Sequence, residues 1–362
     1  MNPHSDEKDR RLIVEEAARW FVQLERKNAQ QQVCFARWLN QSPEHVKTFL
    51  EVAAVEAMLE GLPPQQPRNR AADAVSGSVQ AGGAAGSRKS QHQCKTSSLE
   101  QALRRALENE EFVLYYQPKV EIETRRLTGV EALIRWQCPE RGLVEPAEFI
   151  SILEKTGMIV EVGEWVFRQA AIDRSRWLEL GLDAPRVALN VSSAQIHHED
   201  FVASLKSVLK HPGTDVGLDI EVTETALMDD VESIISIIGK LTAVRALGFR
   251  VVLDDFGTGY SSLSYLRRLP LDALKIDRTF IGGLPADNDA VAIVEAIISL
   301  AHSFQLEVVA EGVDSENQAK CLALMGCEQI QGSVISMPKA FDEITSYFKG
   351  DRADTDFAAL TA

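Results

Sequence analysis

The sequence predicts an α/β protein in which a closed (β/α)8 barrel follows a small all-α N-terminal domain. Three observations lead to this prediction. Strand and helix patterns alternate from residue 110 onward, a stretch poor in large apolar residues precedes them, and helical periodicity occupies the beginning of the chain. Strands separated by helices form parallel sheets, and so many units over about 250 residues favour a barrel. An open doubly wound sheet is the alternative.

The length, composition and apolar pattern are those of a globular protein and argue against a membrane-spanning or secreted one. The chain has 362 residues, a length that is enough for two domains. Hydrophobic residues make up 45% of it and charged residues 25%, as in globular proteins. No apolar run reaches the ~18 residues of a membrane span, and the N-terminus lacks the apolar core of a secretory signal. The five cysteines form no C-x-x-C pair. We therefore expect a cytoplasmic protein without membrane insertion.

The formal net charge of −15 is unevenly spread, since most of the excess acidity follows residue 98. An acidic surface repels the phosphate backbone of long nucleic acids, so these are not expected as partners. A small anionic substrate would need divalent metal ions to offset this charge.

Three short helices are predicted in the first domain, residues 1–62. Apolar residues recur there at helical spacing, and Ser42 followed by Pro43 marks the start of the third helix. The three apolar groups are Ile13, Ala17, Trp20 and Leu24, then Phe35, Trp38 and Leu39, then Val46, Phe49, Leu50 and Ala53. The tryptophans are interpreted as core residues rather than as platforms for a ligand.

The blocks W-F-x-x-L, F-x-x-W-L and S-P-E-H occur in this order over about residues 10–60. In these blocks the chain resembles the N-terminal cytosolic helical domain of FecR-type regulators of extracytoplasmic-function sigma factors. The resemblance implies a protein-docking module, for which a sigma factor is the first candidate partner.

Residues 63–98 are predicted to be a flexible linker. They consist mainly of Pro, Gln, Ala, Gly and Ser, and such a segment buries too little apolar surface to offset the entropy of ordering it. The barrel is assigned to residues 99–350, and residues 351–362 are assigned to a C-terminal tail.

The predicted barrel strands are short β-type runs separated by helical patterns. In order, the runs are FVLYYQP, GVEALIRW, VALNVS, GLDIEV, VVLDD, DALKID, EVVAEG and QIQG. Helical patterns pass through Trp165 and Trp177, lie near 198–210, and cover 231–247, 289–304 and 315–325. No glycine fingerprint follows the first run, so binding of a dinucleotide cofactor has no support.

Polar residues lie in or just after the apolar runs. They are Glu131, Asn190, Glu221, Asp254 with Asp255, Lys275, Glu311 and Gln331. The carboxyl ends of barrel strands meet at one mouth, where the active sites of barrel enzymes lie. Carboxylates gathered there would repel one another without cations, and oxygen ligands select hard ions such as Mg²⁺ or Mn²⁺. We therefore predict two metal ions, with Asp254 or Asp255 bridging them.

The segments EALIRW, LNVS, EVTET, DDFGTGYSSLSYL, LKIDRTF, AEGVDSENQ and QG carry a second resemblance. In their order and spacing, over about residues 99–345, the chain is similar to the EAL-domain family, phosphodiesterases that open cyclic di-GMP to linear pGpG. The resemblance implies an EAL-type, TIM-like barrel, and it suggests a homodimer formed through this domain.

The same resemblance implies roles for individual residues. Glu131, Asn190, Glu221 and Asp254 match the ligands of the first metal ion, and Asp255 joins Asp254 at the second. Lys275 and Glu311 match the positions that orient or activate the water, and Glu311 is our choice for the proton acceptor. The positions that match substrate contacts are Gln117, Leu133, Arg135 and Gln331, and Arg135 suits a phosphate because its donors form a fork.

The segment DDFGTGYSS predicts a loop that moves as substrate binds, because Gly257 and Gly259 can adopt backbone angles closed to other residues. A simple tight turn is the alternative. Glu224 matches the family residue that holds this loop in place. After QG the chain departs from the family, with Ser333 and Met337 in place of an aromatic and a basic residue. This departure concerns packing near the guanine base and leaves the hydrolytic residues intact.

Three other patterns are set aside. The D-F-G triplet has no glycine-rich ATP loop or H-R-D segment with it, so a kinase is excluded. The pair His197 and His198 is interpreted as a solvated helix start rather than a metal site, because adjacent side chains diverge on a helix. Cys321 and Cys327 are interpreted as small buried hydrophobic residues.

Two functional hypotheses follow from these patterns. The first is a metal-dependent cyclic di-GMP phosphodiesterase that acts in second-messenger signalling. The second is a receptor that binds the dinucleotide without cutting it and signals through the N-terminal docking module. The complete set of matching ligands favours the enzyme.

Overall fold

The structure is a computed structural model that describes residues 99–209, 217–227, 231–257 and 268–349, with a few positions nearer the N-terminus. Those positions are Glu16, Phe35, Arg37, Trp38, Leu39, Ser42 and His45. The predicted linker and C-terminal tail lie outside the described residues, as does most of the predicted helical domain.

After three successive strands, helices and strands alternate along most of the described chain, as predicted. The strands are β1 (Phe112–Glu121), β2 (Leu127–Cys138), β3 (Gly142–Val144), β4 (Arg186–Val191), β5 (Leu218–Thr223), β6 (Arg250–Phe256), β7 (Ala273–Ile276), β8 (Glu307–Ala310), β9 (Gln329–Gln331) and β10 (Lys339–Ala340). The first helix is α1, residues 99–108. The others are α2 (Pro146–Thr156), α3 (Ile159–Glu179), α4 (Ser193–His197), α5 (Phe201–Val208), α6 (Glu224–Leu227), α7 (Val231–Ala246), α8 (Arg278–Ile281), α9 (Asn288–Ser303), α10 (Glu316–Leu324) and α11 (Phe341–Phe348). Within the described ranges, no helix has both the length and the apolar character that a bilayer crossing requires.

A closed barrel is formed by β1, β2 and β4 to β9, which confirms the predicted (β/α)8 architecture. The ring closes because β1 pairs with β2 on one side and with β9 on the other. The short strands β3 and β10 extend the sheet beside β2 and β1. Strands such as β5 and β7 are buried along almost their whole length, which explains their continuous apolar runs.

Within the barrel, β1 runs opposite to the seven other strands. β1 is antiparallel to both β2 and β9, whereas the pairs from β2 through β4 to β9 are parallel. The short connection between Glu121 and Leu127 requires this direction, because a parallel pair needs a crossover of about a dozen residues or more. β1 therefore begins beside the carboxyl end of β2, where Phe112 pairs with Trp136.

A second hydrophobic cluster covers this same end of β1 and β2. Leu103 of α1 and Phe149 of α2 are fully buried in it, together with Phe112 and Trp136. The cluster fixes α1 and α2 at the end of the barrel to which the parallel strands point. The segment that leads into the barrel is thus anchored on the side of the predicted mouth.

The described N-terminal positions contact the barrel. Trp38 and Leu39 are buried and belong to the same hydrophobic cluster as the barrel core. Arg37 Nη2 lies 3.1 Å from Asp289 Oδ1 in the first turn of α9. Ser42 Oγ accepts a hydrogen bond from the His45 N–H at 3.3 Å, which agrees with the helix start predicted at this serine.

Gly332, directly after β9, is the glycine on which we base a stability prediction. A Cβ atom there would lie 2.2 to 2.7 Å from backbone atoms of Val313, so the Gly332→Ala chain must shift its backbone. We expect a loss of about 1–3 kcal/mol, the range typical of overpacking, measured as a lower urea midpoint. Gly239→Ala on α7 is the control, since nothing lies within 4 Å of its Cβ position and alanine favours a helix. Equal midpoints for Gly332→Ala and wild type would contradict the packing described.

Candidate active site

Polar side chains meet at the mouth formed by the carboxyl ends of the parallel strands. They are Glu131 on β2, Asn190 on β4, Glu221 on β5, Asp254 on β6, Lys275 on β7, Gln331 on β9 and Glu311 directly after β8. The register places Asn190 opposite Glu221, whereas Asp254 lies opposite Thr223, two residues beyond Glu221 toward the carboxyl end. The structure thus brings the predicted strand-end residues together.

Lys275 lies at the centre of this mouth and is 1% exposed. Its Nζ atom donates to Glu221 Oε2 at 2.7 Å and also contacts Glu311. Glu131 Oε2 and Asp254 Oδ1 each lie 3.4 Å from the same nitrogen. Burial alone would lower the pKa of Lys275, but these carboxylates outweigh it and raise the pKa well above its usual value. Lys275 is therefore a permanent positive charge in the mouth.

Glu131 is held by two amides as well as by Lys275. Asn190 Nδ2 donates to Glu131 Oε1 at 2.7 Å, and Gln331 Nε2 donates to Glu131 Oε2 at 2.7 Å. Burial would raise the pKa of Glu131, but Lys275 and these hydrogen bonds outweigh it, so the pKa is lowered. Glu131 is thereby fixed as an oriented carboxylate.

The other carboxyl groups keep their protons more strongly. Burial raises the pKa of Glu221 to about 6, with Lys275 offsetting only part of the effect. Burial likewise raises the pKa values of Asp254 and Asp255, and it raises the pKa of Glu311 well above its usual range. Protons and cations therefore compete for the same oxygens.

The end of β6 departs from regular strand geometry and brings adjacent acids together. Side chains of neighbouring strand residues point to opposite faces. Asp255, however, has a positive φ of 54°, and the pairing of β6 with β7 shifts register between Leu253 and Phe256. Carboxylate oxygens of Asp254, Asp255 and Glu311 consequently lie within 4.8 Å of one another. The sequence pattern named both aspartates but could not show this backbone distortion.

This donor set fits hard divalent cations. The predicted ligands offer carboxylate oxygens and one amide oxygen, the groups that Mg²⁺ and Mn²⁺ prefer. The clustered oxygens of Asp254, Asp255 and Glu311 satisfy the spacing of a shared ion. Gln331 Oε1 is also buried in the mouth with no hydrogen-bond partner among the described residues. The mouth thus holds more oxygen acceptors than its protein donors satisfy.

Glu224 lies at the start of α6, next to the strand-end turn of β6. It is 2% exposed, and its Oε2 atom accepts a hydrogen bond from the Gly257 N–H at 3.2 Å. Gly257 has a φ of 94°, and a Cβ atom there would lie 2.9 Å from the Phe280 ring, so both backbone and space favour glycine. The following part of the predicted loop, including Gly259, lies outside the described residues.

The predicted substrate contacts form a stripe on β1, β2 and β9. Leu133 and Arg135 follow Glu131 at alternate positions of β2, and such residues share one face of a strand. Gln117 lies opposite Glu131 on β1, and its Oε1 accepts from Gln331 Nε2 at 3.1 Å. The stripe leads from the carboxylates toward the rim.

Arg135 is held in place at the rim by protein groups. Its Nε atom lies 3.1 Å from Glu145 Oε2, and its guanidinium group lies 5.7 Å from the centre of the Tyr115 ring. The Glu145 side chain is 63% exposed, so this ion pair is open to solvent and competition from another anion. The sequence did not predict a role for Glu145, because no local pattern distinguishes it from other acidic residues on the surface.

Lys119 was also missed and is 4% exposed. Its Nζ atom donates to Glu221 Oε1 at 3.2 Å. The signal was present, because Lys119 is two residues from Gln117 in an apolar strand and so shares its face. A lysine on an inward face is worth noting whenever the strand is otherwise apolar.

The patterns set aside earlier agree with the structure only in part. His197 is the last residue of α4 and His198 follows it, so the predicted helix start is wrong, and Cys321 is not fully buried. His197 and His198 are exposed, and His197 Nδ1 lies 2.8 Å from the Ser193 carbonyl oxygen. Cys327 is buried, which raises the pKa of its thiol to about 12 and disfavours the reactive thiolate. Cys321 is half-buried, and burial raises its pKa as well.

The segment after Gln331 runs beside the predicted substrate stripe. The Ser336 carbonyl oxygen accepts from Gln117 Nε2 at 3.1 Å. Ser333 Oγ donates to Asp314 Oδ1 at 2.7 Å, and Met337 is 65% exposed. The two departures from the family pattern therefore lie at the rim, and no described hydrogen bond joins either side chain to a predicted metal ligand.

Comparison with protein families gives two matches. Residues 100–338 match the model of the EAL domain. Residues 15–55 match a domain of unknown function, DUF4880, in the stretch where the helical domain is predicted.

Curated relatives match over the barrel region. A bifunctional diguanylate cyclase/cyclic di-GMP phosphodiesterase, MucR of Pseudomonas aeruginosa, is 42% identical over 243 residues, which are 67% of this chain and 35% of that protein. The cyclic di-GMP phosphodiesterase PdeR of Escherichia coli is 39% identical over 241 residues, which are 66% of this chain and 36% of that protein. This chain thus spans about a third of the length of the curated relatives it matches.

Solved structures agree with the barrel. A PaMucR phosphodiesterase in complex with c-di-GMP matches with a TM-score of 0.65 and 41% identity, over 68% of this chain and 99% of that chain. The EAL enzyme Bd1971, bound to cAMP and cyclic di-GMP, matches with a TM-score of 0.67 and 34% identity, over 72% of this chain and 71% of that chain.

The pKa of Glu221 generates a prediction about metal affinity. Only the carboxylate form binds a cation, and Glu221 gains a proton as the pH falls through about 6. We expect Mn²⁺ affinity to fall below pH 6 by about tenfold per pH unit for each proton displaced. Calorimetric titration of the metal-free chain between pH 5 and 8 measures this dependence. Glu221→Gln lacks the titrating group and should bind more weakly with a shallower pH slope. An affinity that does not change over this range would refute the arrangement.

Proposed function

Because this chain belongs to the EAL-domain family, we propose that it is a metal-dependent phosphodiesterase that hydrolyses 3′,5′-cyclic di-GMP to linear pGpG in second-messenger signalling. The observation that carries the proposal is the mouth in which Lys275 lies among four carboxylates. A phosphodiester repels an attacking oxygen by its negative charge, so its hydrolysis requires positive charge and a base in one place. This mouth offers both.

Two divalent cations, Mg²⁺ or Mn²⁺, are the proposed cofactors. Glu131, Asn190, Glu221 and Asp254 would hold the first, and Asp254 and Asp255 the second. Once bound, such ions lower the pKa of a water molecule and stabilise the charge that develops on the phosphate.

Glu311 is the proposed proton acceptor for the attacking water. Its contact with the Lys275 ammonium favours the ionised carboxylate, and its oxygens lie within 4.8 Å of those of Asp254 and Asp255, beside the proposed ions. Lys275, which contacts Glu311, adds positive charge where negative charge builds up in the transition state. Their contact keeps the base and the cation within reach of the same reacting group.

The dinucleotide is proposed to bind along Gln117, Leu133, Arg135 and Gln331. Arg135 would leave Glu145, whose side chain is 63% exposed, and place its forked donors on a phosphate. Glu224 would hold the loop after β6 through the Gly257 N–H. The matching structure of a phosphodiesterase with c-di-GMP supports this assignment of the ligand.

We also propose that the N-terminal region is a FecR-like docking module, joined through residues 63–98, that regulates the barrel. Its match to DUF4880 over residues 15–55 overlaps the three predicted helices, and Arg37, Trp38 and Leu39 contact the barrel. The proposed partner of this module is a sigma factor. We also propose that the chain forms a homodimer through the EAL domain and acts in the cytoplasm.

The hydrolytic proposal is tested by incubating the full chain with cyclic di-GMP and Mn²⁺. We expect pGpG to form, EDTA to stop its formation, and Glu131→Ala to abolish it because a metal ligand is lost. Glu311→Gln should lower kcat by about 10²–10⁴-fold, the usual contribution of a general base. Glu123→Gln, which removes an exposed acid in the β1–β2 turn, is the control and should retain wild-type turnover. Tight binding without hydrolysis would assign the receptor function instead.

The docking proposal is tested by comparing the full chain with a variant that lacks residues 1–62. We expect the deletion to change the turnover of cyclic di-GMP, since it removes Trp38 and its contact with the barrel core, and to abolish capture of the sigma factor. Trp38→Ala should shift turnover in the same direction, because it removes a side chain that is only 5% exposed. Unchanged turnover, oligomeric state and partner capture in both variants would count decisively against this regulation.

A further inference from the structure

Lys119 is a buried cation for which the proposed chemistry has no assigned role. It lies on β1 opposite Gly129 of β2 and Gln331 of β9, and its side chain points into the barrel. Removing an ammonium group from water is costly unless it gains a partner. Its partner is Glu221, one of the predicted metal ligands.

Glu221 is held by two ammonium groups, one on each oxygen. Lys119 Nζ lies 3.2 Å from Oε1, and Lys275 Nζ lies 2.7 Å from Oε2. The Glu221 side chain is itself fully buried. With Oε1 bound to Lys119, the Oε2 atom of Glu221 faces Lys275, whose ammonium group also contacts Asp254 and Glu311.

The neighbouring strand leaves space for this lysine. A Cβ atom on Gly129 would lie 3.2 Å from Lys119 Cε and 3.2 Å from the Arg186 carbonyl oxygen. A side chain at position 129 would therefore press on the stem of the lysine. Thr128 Oγ1 also donates to the Lys119 carbonyl oxygen at 3.2 Å, which fixes the backbone from which the stem starts.

A cavity of mixed charge borders the same lysine. It has a volume of about 320 Å³, lies at the amino ends of the strands, and is lined by Lys119 together with the acids Asp183, Asp219 and Glu307 and the arginines Arg126, Arg186 and Arg250. The Lys119 ammonium nevertheless forms its described ion pair with Glu221, on the side of the mouth. In the cavity, Arg186 pairs with Asp219 and Arg250 pairs with Glu307, so these two acids already have cationic partners.

We propose that Lys119 is a positioning residue that holds Glu221 Oε1 so that Oε2 stays directed to the cation site. This inference rests on the proposed function, because it takes Glu221 to be a metal ligand. Residues that hydrogen-bond to metal ligands orient them, and their loss typically weakens metal binding by 10–100-fold. Lys119 acts through Glu221 and touches no reacting atom.

The test measures Mn²⁺ binding to the full chain by electron paramagnetic resonance of the free ion, with turnover measured separately. Lys119→Met keeps a stem of similar length and removes the charge. We expect its Kd for Mn²⁺ to rise by about 10–100-fold, with kcat at saturating Mn²⁺ and KM for cyclic di-GMP close to wild type. A purely structural role would instead reduce the number of binding-competent molecules without changing their Kd.

Two further variants keep the test decisive. Gly129→Ala retains both charges but presses on the lysine stem, so it should raise the Mn²⁺ Kd by a smaller factor, even if Lys119→Met does not fold. Lys320→Met removes an exposed lysine on α10 and should leave the Kd unchanged. If wild type binds Mn²⁺ and both Lys119→Met and Gly129→Ala bind it equally well, the role of Lys119 is overturned while the proposed function stands. If wild type neither binds Mn²⁺ nor forms pGpG, both proposals fail.

Discussion

The candidate site depends on one buried ammonium group. Glu131, Glu221, Asp254 and Glu311 share a small space because Lys275 Nζ lies among them. Buried carboxylates without a cation would repel one another or take up protons. The barrel makes the arrangement possible, since the carboxylates and the lysine come from separate segments of the chain and meet only when the sheet closes. The barrel must therefore close for the charges in the mouth to balance one another.

Around this ammonium group, local irregularities adapt a regular barrel to chemistry. The positive φ of Asp255 breaks the alternation of β6 and gives the mouth two aspartates where a regular strand would give one. Glu224 secures the chain just beyond that distortion through the Gly257 N–H. A backbone in this sparsely populated region persists only when its surroundings hold it there. The buried glutamate provides that support.

Much of the fold and site could be predicted because both depend on short-range patterns. Apolar runs with a polar residue at their carboxyl ends predicted the barrel and its mouth, and Glu131, Glu221 and Lys275 are all located there. The alternation of strands and helices did not predict the direction of β1. The short connection from Glu121 to Leu127, however, already required β1 and β2 to form a hairpin. Lys119 and Glu145 escaped for another reason. Their significance lies in the partners they meet across the sheet, Glu221 and Arg135, which no local pattern contains.

The reversed first strand has a consequence for how the barrel connects to the rest of the chain. In a barrel of wholly parallel strands, a preceding domain joins at the end opposite the mouth. Here β1 starts beside the carboxyl end of β2, and α1 packs there against Phe112 and Trp136. The chain therefore enters the barrel on the side of the mouth, and a partner held by the proposed docking module would be tethered through α1 on that side. Tethering would raise the effective concentration of such a partner near the mouth, so even a weak contact with the rim would become significant.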